Sequence, residues 1–348
     1  MVICTIATTS HLPKAACLAR SLARTQPPHK FVLCLVERNS SMLGDLHRYF
    51  HHLVLAGDTG LPSFEPFVFR YTAFEACMAL KARILLWAMD VFPQEQQFAY
   101  FDSDILASSR FTELESVLPT ADIVVTPHHV HDEDSRDGVQ DNMIRTLMCG
   151  TFNSGFLAVR RSPSACEFLR WWDSKLQKFC YKDDSYGLFF EQKWLDLAPA
   201  LFDLTILRDP GYNVANWNLA ARGLRLDNSS QNYLVNGQPL RFFHFSMIDF
   251  GRDMFYFTKH VPRDNAVFAL RSQYLLEINQ LDVSGLSHTP WSYDFFSSGD
   301  RISEQARHRF RKYPELASDF PRPFSESNDA IALACARFCT PSLLLSEK

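Results

Sequence analysis

The first residues, Val2–Ala7, form an almost unbroken apolar run that stops at Thr8-Thr9-Ser10, as expected of a strand buried on both faces. Pro13 then stands where a helix begins, with Leu18 and Leu22 marking the apolar stripe of residues 13–24. Phe31–Val36 is a second buried run. This strand–helix–strand opening predicts an α/β sheet that binds ligands along the carboxyl ends of its strands. No Gly-x-Gly-x-x-Gly follows the first strand, which argues against a standard dinucleotide site.

Further on, residues 71–91 read as one long amphipathic helix carrying Lys81 and Arg83. Strands are expected at Phe98–Phe101 and Ile123–Thr126. The polar stretch His128–Gly138 is expected to be a solvated loop, because the spacing of its three histidines fits no defined ligand set. Thr151–Val159 joins a polar turn to a buried strand. Ser162-Pro163 opens a helix to about Phe179 with Trp171 and Trp172 as core residues, and Glu191-Gln192 opens another. A last strand spans Leu240–Phe245. The chain divides into a main unit, 1–261, and a Pro-punctuated, aromatic extension, 262–348, helical in pieces.

With 47% apolar and 21% charged residues over 348 positions, the chain can build a large core. A net charge of −4 disfavours a general nucleic-acid binder. The nine cysteines are scattered, with no C-x-x-C pair, which reads as buried free thiols in a reducing compartment. Neither a signal peptide nor a membrane-spanning run is expected, so the location expected is cytoplasmic, with at most peripheral contact at the inner face of a membrane.

The chemistry concentrates at Asp102-Ser103-Asp104, directly after the apolar run Phe98–Phe101. Residues i and i+2 of a strand point to one face, so the two carboxylates converge, and a bound divalent cation is the usual relief of their repulsion. Three more polar signatures adjoin a strand or a helix start: Asn153-Ser154-Gly155, Glu191-Gln192 and His244-Phe245-Ser246. In this order the four resemble the retaining nucleotide-sugar glycosyltransferases of family 8 and their bacterial relatives, over roughly residues 1–260. The resemblance implies a GT-A fold: a Rossmann-like, nucleotide-sugar-binding mixed sheet flanked by helices.

That resemblance implies that Asp102, Asp104 and His244 ligate Mn²⁺ or Mg²⁺, the histidine favouring manganese. It further implies that Ala7, Thr8 and Thr9 meet the nucleotide, UDP foremost, while Lys81, with Arg83 as substitute, reaches the donor phosphates or sugar. Ser103 stands between the two aspartates. Asn153 and Ser154 would face the donor sugar, Glu191 and Gln192 would line its reacting face, and Asn213 matches an Asn after the following strand. Two departures stand out. The family usually carries Asp where Glu191 stands, and Phe250 occupies the place of a phosphate-binding Lys, leaving Arg252 or Lys259 to supply the charge.

The function implied is a hexosyltransferase acting on a glycan, lipid-linked glycan or protein acceptor, as in surface polysaccharide or lipopolysaccharide synthesis. The alternatives are a metal-dependent phosphohydrolase of nucleotide or sugar phosphates, and an inactive GT-A binding protein.

Overall fold

The computed structural model describes residues 1–227 and 229–336; Cys339 and the rest of 337–348 lie outside the described residues. A seven-stranded mixed sheet runs through the molecule. Its spine is β1 (Val2–Ala7), flanked in parallel by β2 (Lys30–Leu35) on one side and β4 (Gln97–Phe101) on the other, with β3 (His52–Leu55) beyond β2. Past β4 lie the long antiparallel β7 (Phe152–Arg160), then β6 (Ile123–Pro127) and a short edge pair, Thr205–Ile206. β1 is buried at every position and the first eight residues of β7 are too, which explains why both read as unbroken apolar runs.

Between β4 and β6, β5 (Ile105–Ala107) leaves this sheet and pairs antiparallel with β9 (Phe242–His244), which also takes β8 (Val214–Ala215) in parallel. This small second sheet positions the site. Its register sets His244 opposite Ile105 and Ala215 beside His244, so the ends of three distant segments meet at one point.

Helices cover both faces. α1 (Leu12–Thr25) follows β1 with Pro13 in its first turn, and Ser162 caps the helix Pro163–Phe179 by accepting from Ala165 N. The helix expected across 71–91 is two helices, Ala73–Ala79 and α2 (Lys81–Val91). Leu80 ends the first, its N–H shared between the Cys77 and Met78 carbonyls, and the break turns Lys81 inward. The stretch after β6 also departs from a solvated loop: His128 and Glu133 are buried and the chain is helical from Arg136.

The extension packs into the body. Val267–Leu281 lies in one core with residues of α1, and Trp291, Phe310 and Phe324 join another with Phe67–Tyr71 and α2. Arg307, buried, donates to the backbone carbonyls of Phe69, Tyr71 and Tyr293, so this extension is held by hydrogen bonds as well as apolar area.

Candidate active site

A cavity of about 520 Å³ opens at the carboxyl ends of β1 and β4. Asp102 and Asp104 sit in the turn between β4 and β5; Asp102 N donates to Gly155 O at 2.9 Å and Phe245 N donates to Asp104 O at 2.9 Å. These backbone bonds bring His244 to the carboxylates: its Nε2 lies 3.2 Å from Asp104 Oδ1 and 3.8 Å from Asp102 Oδ2. One ligand atom from each of the three residues falls within 4.8 Å of the others.

The surroundings fit a cation there. Asn213 Nδ2 donates to Thr126 Oγ1 (2.9 Å) and to Asn153 Oδ1 (3.0 Å), so Asn213 Oδ1 is the acceptor facing His244 Nδ1 at 3.2 Å. A ring that donates from Nδ1 presents the lone pair of Nε2 to a metal, the usual outer-shell arrangement for a histidine ligand. Gly155 makes room for the ring: a Cβ at that position would lie 2.4 Å from His244 Cε1. Burial alone would lower the His244 pKa, but Asp104 and then Asp102 outweigh it and raise it. Burial likewise opposes ionisation of Asp104, yet His244, with Lys14 and His11 farther off, holds it well below the usual carboxylate range.

Asn153-Ser154-Gly155 reaches the site through a bulge. Val125 opposes Leu157 but Thr126 opposes Asn153, so β7 bows away from β6 at this motif while still pairing with β4. Asn153 lines the cavity with its amide occupied: Oδ1 accepts from Gly155 N (3.0 Å) and Asn213, and Nδ2 lies 3.3 Å from His128 Nε2.

Lys81 lies beneath the cavity wall. Fully buried, its ammonium bridges Asp102 Oδ1 (2.9 Å) and Glu191 Oε1 (2.8 Å) and donates to Ser154 O (3.2 Å). Burial disfavours its charge, but Asp102 and Glu191 more than offset that and raise its pKa. Tyr100 OH donates to Asp102 Oδ1 at 2.8 Å, and Ser154 Oγ donates to Glu191 Oε1 at 2.5 Å. Gln192 Nε2 donates to the Cys149 carbonyl at 3.0 Å, which fixes the amide in the wall.

The remaining expected residues divide. Ala7, Thr8, Ser103, Ser154, Glu191 and Gln192 line the cavity. Thr9 does not; it is buried, with its N–H on Glu37 Oε1 at 2.8 Å. Arg83 is ion-paired to Asp173 on the wall of a separate cleft. Of the two stand-ins for the missing lysine, Arg252 lines the cavity, whereas Lys259 is held by Asp141 at 2.6 Å.

Motif reading passed over His128, Arg145, Asn216, Trp217 and Asp249, all of which line the cavity. The polar run Asn216-Trp217-Asn218 just after β8 was the visible signal for two of them. His128 opens the histidine-rich stretch expected to be a solvated loop near the cleft; it lines the cavity but is buried.

An α/β sheet with a carboxylate–imidazole cluster at its carboxyl edge is thus the class that fold and site define. No protein-family model matches the chain. Relatives include the uncharacterized proteins YfnF and YfnD of Bacillus subtilis (strain 168), 24% and 23% identical over 70% of this chain and over 80% and 76% of their own lengths. Solved structures similar to it are glycosyltransferases. The galactosyltransferase LgtC, in complex with donor and acceptor sugar analogues, has TM-score 0.46 and 13% identity, covering 80% of this chain and 96% of its own. Glycosyltransferase GlyE of Streptococcus pneumoniae TIGR4 has TM-score 0.44 and 15% identity, covering 85% and 66%. Mouse xyloside xylosyltransferase 1 has TM-score 0.39 and 16% identity, covering 71% and 99%.

Proposed function

We propose that this protein is a metal-dependent glycosyltransferase of the GT-A type that moves a hexosyl group from a nucleotide diphosphate sugar, a UDP-sugar foremost, to an acceptor hydroxyl with retention. The observation that carries this is the convergence of Asp102 and Asp104 with His244, from two distant segments, within 4.8 Å, inside a cavity large enough for a nucleotide.

A Mn²⁺ or Mg²⁺ ion held by these three side chains would neutralise charge developing on the diphosphate leaving group. The chain's own residues do the rest. Asn213 fixes the tautomer of His244, and Lys81 with Tyr100 fixes the Asp102 carboxylate, so the ligands are set before substrate arrives. Arg252 meets the outer phosphate. The Gln192 amide, anchored through Nε2, turns its carbonyl oxygen to the sugar face and favours positive charge at the anomeric carbon. Because Gln is a poor nucleophile, attack comes from the same face. The bond from the anomeric carbon to the phosphate oxygen breaks, the acceptor oxygen takes its place, and the acceptor proton passes to the departing phosphate.

On this proposal residues 1–261 carry the donor chemistry and the extension closes one wall through Trp291, whose Nε1 donates to Val36 O at 2.7 Å and which lines the cavity. No helix among the described residues is long and apolar enough to cross a membrane, consistent with a cytoplasmic enzyme of surface-glycan synthesis that touches a membrane at most peripherally.

The test is a thermal-shift screen of nucleotide diphosphates and their sugars with and without Mn²⁺, followed by NMR of the transfer product. Metal-dependent stabilisation that Asp102→Asn abolishes is expected, with retained anomeric configuration. Release of free sugar or phosphate at full rate without acceptor would identify a phosphohydrolase instead.

A further inference from the structure

Four buried polar atoms of cavity-lining residues have no hydrogen-bond partner among the described residues: His128 Nδ1, Asn142 Oδ1, Asn216 Oδ1 and Trp217 Nε1. Asn216 Oδ1 and Trp217 Nε1 are chain neighbours, buried and without a hydrogen bond among the described residues, although both residues line the cavity and Asn216 is only 4% exposed. The far end of the Asn216 amide has only a weak contact, Nδ2 to the Met247 sulfur at 3.7 Å. Native structures rarely leave such groups unmet, because each carries the desolvation cost of an unmade bond. Strain does not explain them, since the loop is firmly built. Ala215 N donates to Asn218 Oδ1 (3.0 Å), and Asn218 Nδ2 donates to the carbonyls of His128 (2.9 Å) and Asn213 (3.0 Å).

The position is as informative as the vacancy. Ala215 pairs with His244 across β8 and β9, so the next two residues emerge alongside the carboxylate–imidazole cluster. The Trp217 ring stands edge-on to His244, centroids 5.3 Å apart at 85°, and at 5.3 Å and 70° to His128. Burial pushes the His128 ring down to about 3, so it adds no charge to this wall. Glu191 and Gln192 approach from the β7 side instead, through Ser154 and Cys149.

We infer that Asn216 and Trp217 seat the acceptor, and that the acceptor is a sugar ring; this rests on the transferase function proposed above. An acyl chain would leave both atoms orphaned, and a lone Ser or Thr hydroxyl has too few groups to serve both and still present an oxygen for transfer. Neighbouring hydroxyls of a pyranose each donate and accept. One can donate to the Asn216 carbonyl oxygen, the next can accept from the Trp217 N–H, and a third is left to attack. The aromatic edge and the neutral imidazole suit the apolar face of such a ring.

The experiment titrates a panel of methyl hexopyranosides into the full chain with UDP and Mn²⁺ present, read by indole fluorescence and saturation-transfer NMR, for wild type, Trp217→Phe and Asn216→Ala. At least one glycoside binds wild type, and each variant weakens it about tenfold, the loss of one buried hydrogen bond, while UDP affinity stays within about twofold. Trp217→Phe keeps an aromatic ring while removing the pyrrole with its N–H, so it bears on the inference even where Asn216→Ala unfolds. Wild type that binds UDP but no glycoside, or variants that bind glycoside as wild type does, overturn the seat. Glycoside binding that the variants weaken, in a protein that takes no nucleoside diphosphate, keeps the sugar seat and overturns the transferase function.

Discussion

Gly155→Ala isolates the geometry of the proposed metal ligands with a single methyl group. Gly155 lacks a positive φ, so alanine meets no backbone penalty there, and the effect comes from what the new Cβ touches. It would lie 2.4 Å from His244 Cε1, 2.7 Å from His244 Nδ1 and 2.8 Å from Asn153 Oδ1. Carbon atoms settle near 3.5 Å, so the ring must withdraw by about 1 Å. Withdrawal strains the Nδ1 contact to Asn213, now 3.2 Å, and opens the approach of Nε2 to Asp104, now 3.2 Å. Overpacking of this kind costs about 1–3 kcal/mol in stability, which the large core tolerates. Displacing one ligand and its outer-shell partner costs about 10–100-fold in metal affinity. Isothermal titration of Mn²⁺ into wild type and variant, each checked for cooperative unfolding, reads this directly. A folded variant that binds Mn²⁺ as tightly as wild type would show that His244 is not a ligand.

Lys81→Met leaves Asp102 and Glu191 without their shared cation; urea unfolding is expected to show a loss of about 3–5 kcal/mol, and a loss below about 1 kcal/mol would mean the ammonium is not holding the carboxylates. Burial pushes His128 down to about 3 and His129 to about 4, both from 6.5, so between pH 6.5 and 4 the unfolded chain binds protons that the folded chain refuses. Stability therefore falls as pH drops through that window, by up to about 1.4 kcal/mol per pH unit for each ring, and His129→Gln should flatten the pH dependence of the thermal midpoint; an unchanged slope refutes the assignment. Arg252→Gln is expected to raise the donor KM about tenfold with little change in kcat, whereas Lys259→Gln, already paired to Asp141, should change neither; equal effects would remove Arg252 from the phosphate.

Much of this arrangement was legible because it follows strand ends. The apolar run before Asp102 and the run before His244 both stop where the side chains turn to the cavity, and period-two patterning reports that stop. Lys81 was legible as a charge but not as a buried one. The apolar pattern runs through Leu80 without a Gly or Pro, and the break there arises from tertiary packing, so a side chain expected at the phosphates points beneath the wall instead. Thr9 belongs to the same kind of miss: its position after β1 is right for a ligand, yet the local turn sends its N–H to Glu37. Asn216 and Trp217 matter through what they lack, and an absent partner is a property of the packed molecule that no pattern of residue types encodes.

The charges around the cluster argue for why Lys81 is buried at all. Asp102, Asp104 and Glu191 place three carboxylates around one point, and Lys81 touches two of them. Its ammonium can answer one negative charge, and the Asp104 carboxylate, 3.2 Å from His244 Nε2, raises the pKa of that ring. A divalent ion among Asp102, Asp104 and His244 would balance the three carboxylates together with Lys81. On the proposed function the centre would then be near neutral before a diphosphate arrives, and the charge of the diphosphate would have to be met by other groups of the cavity. Arg145 and Arg252 line it and form no ion pair among the described residues, and Arg145 instead donates to Tyr256 OH at 2.7 Å.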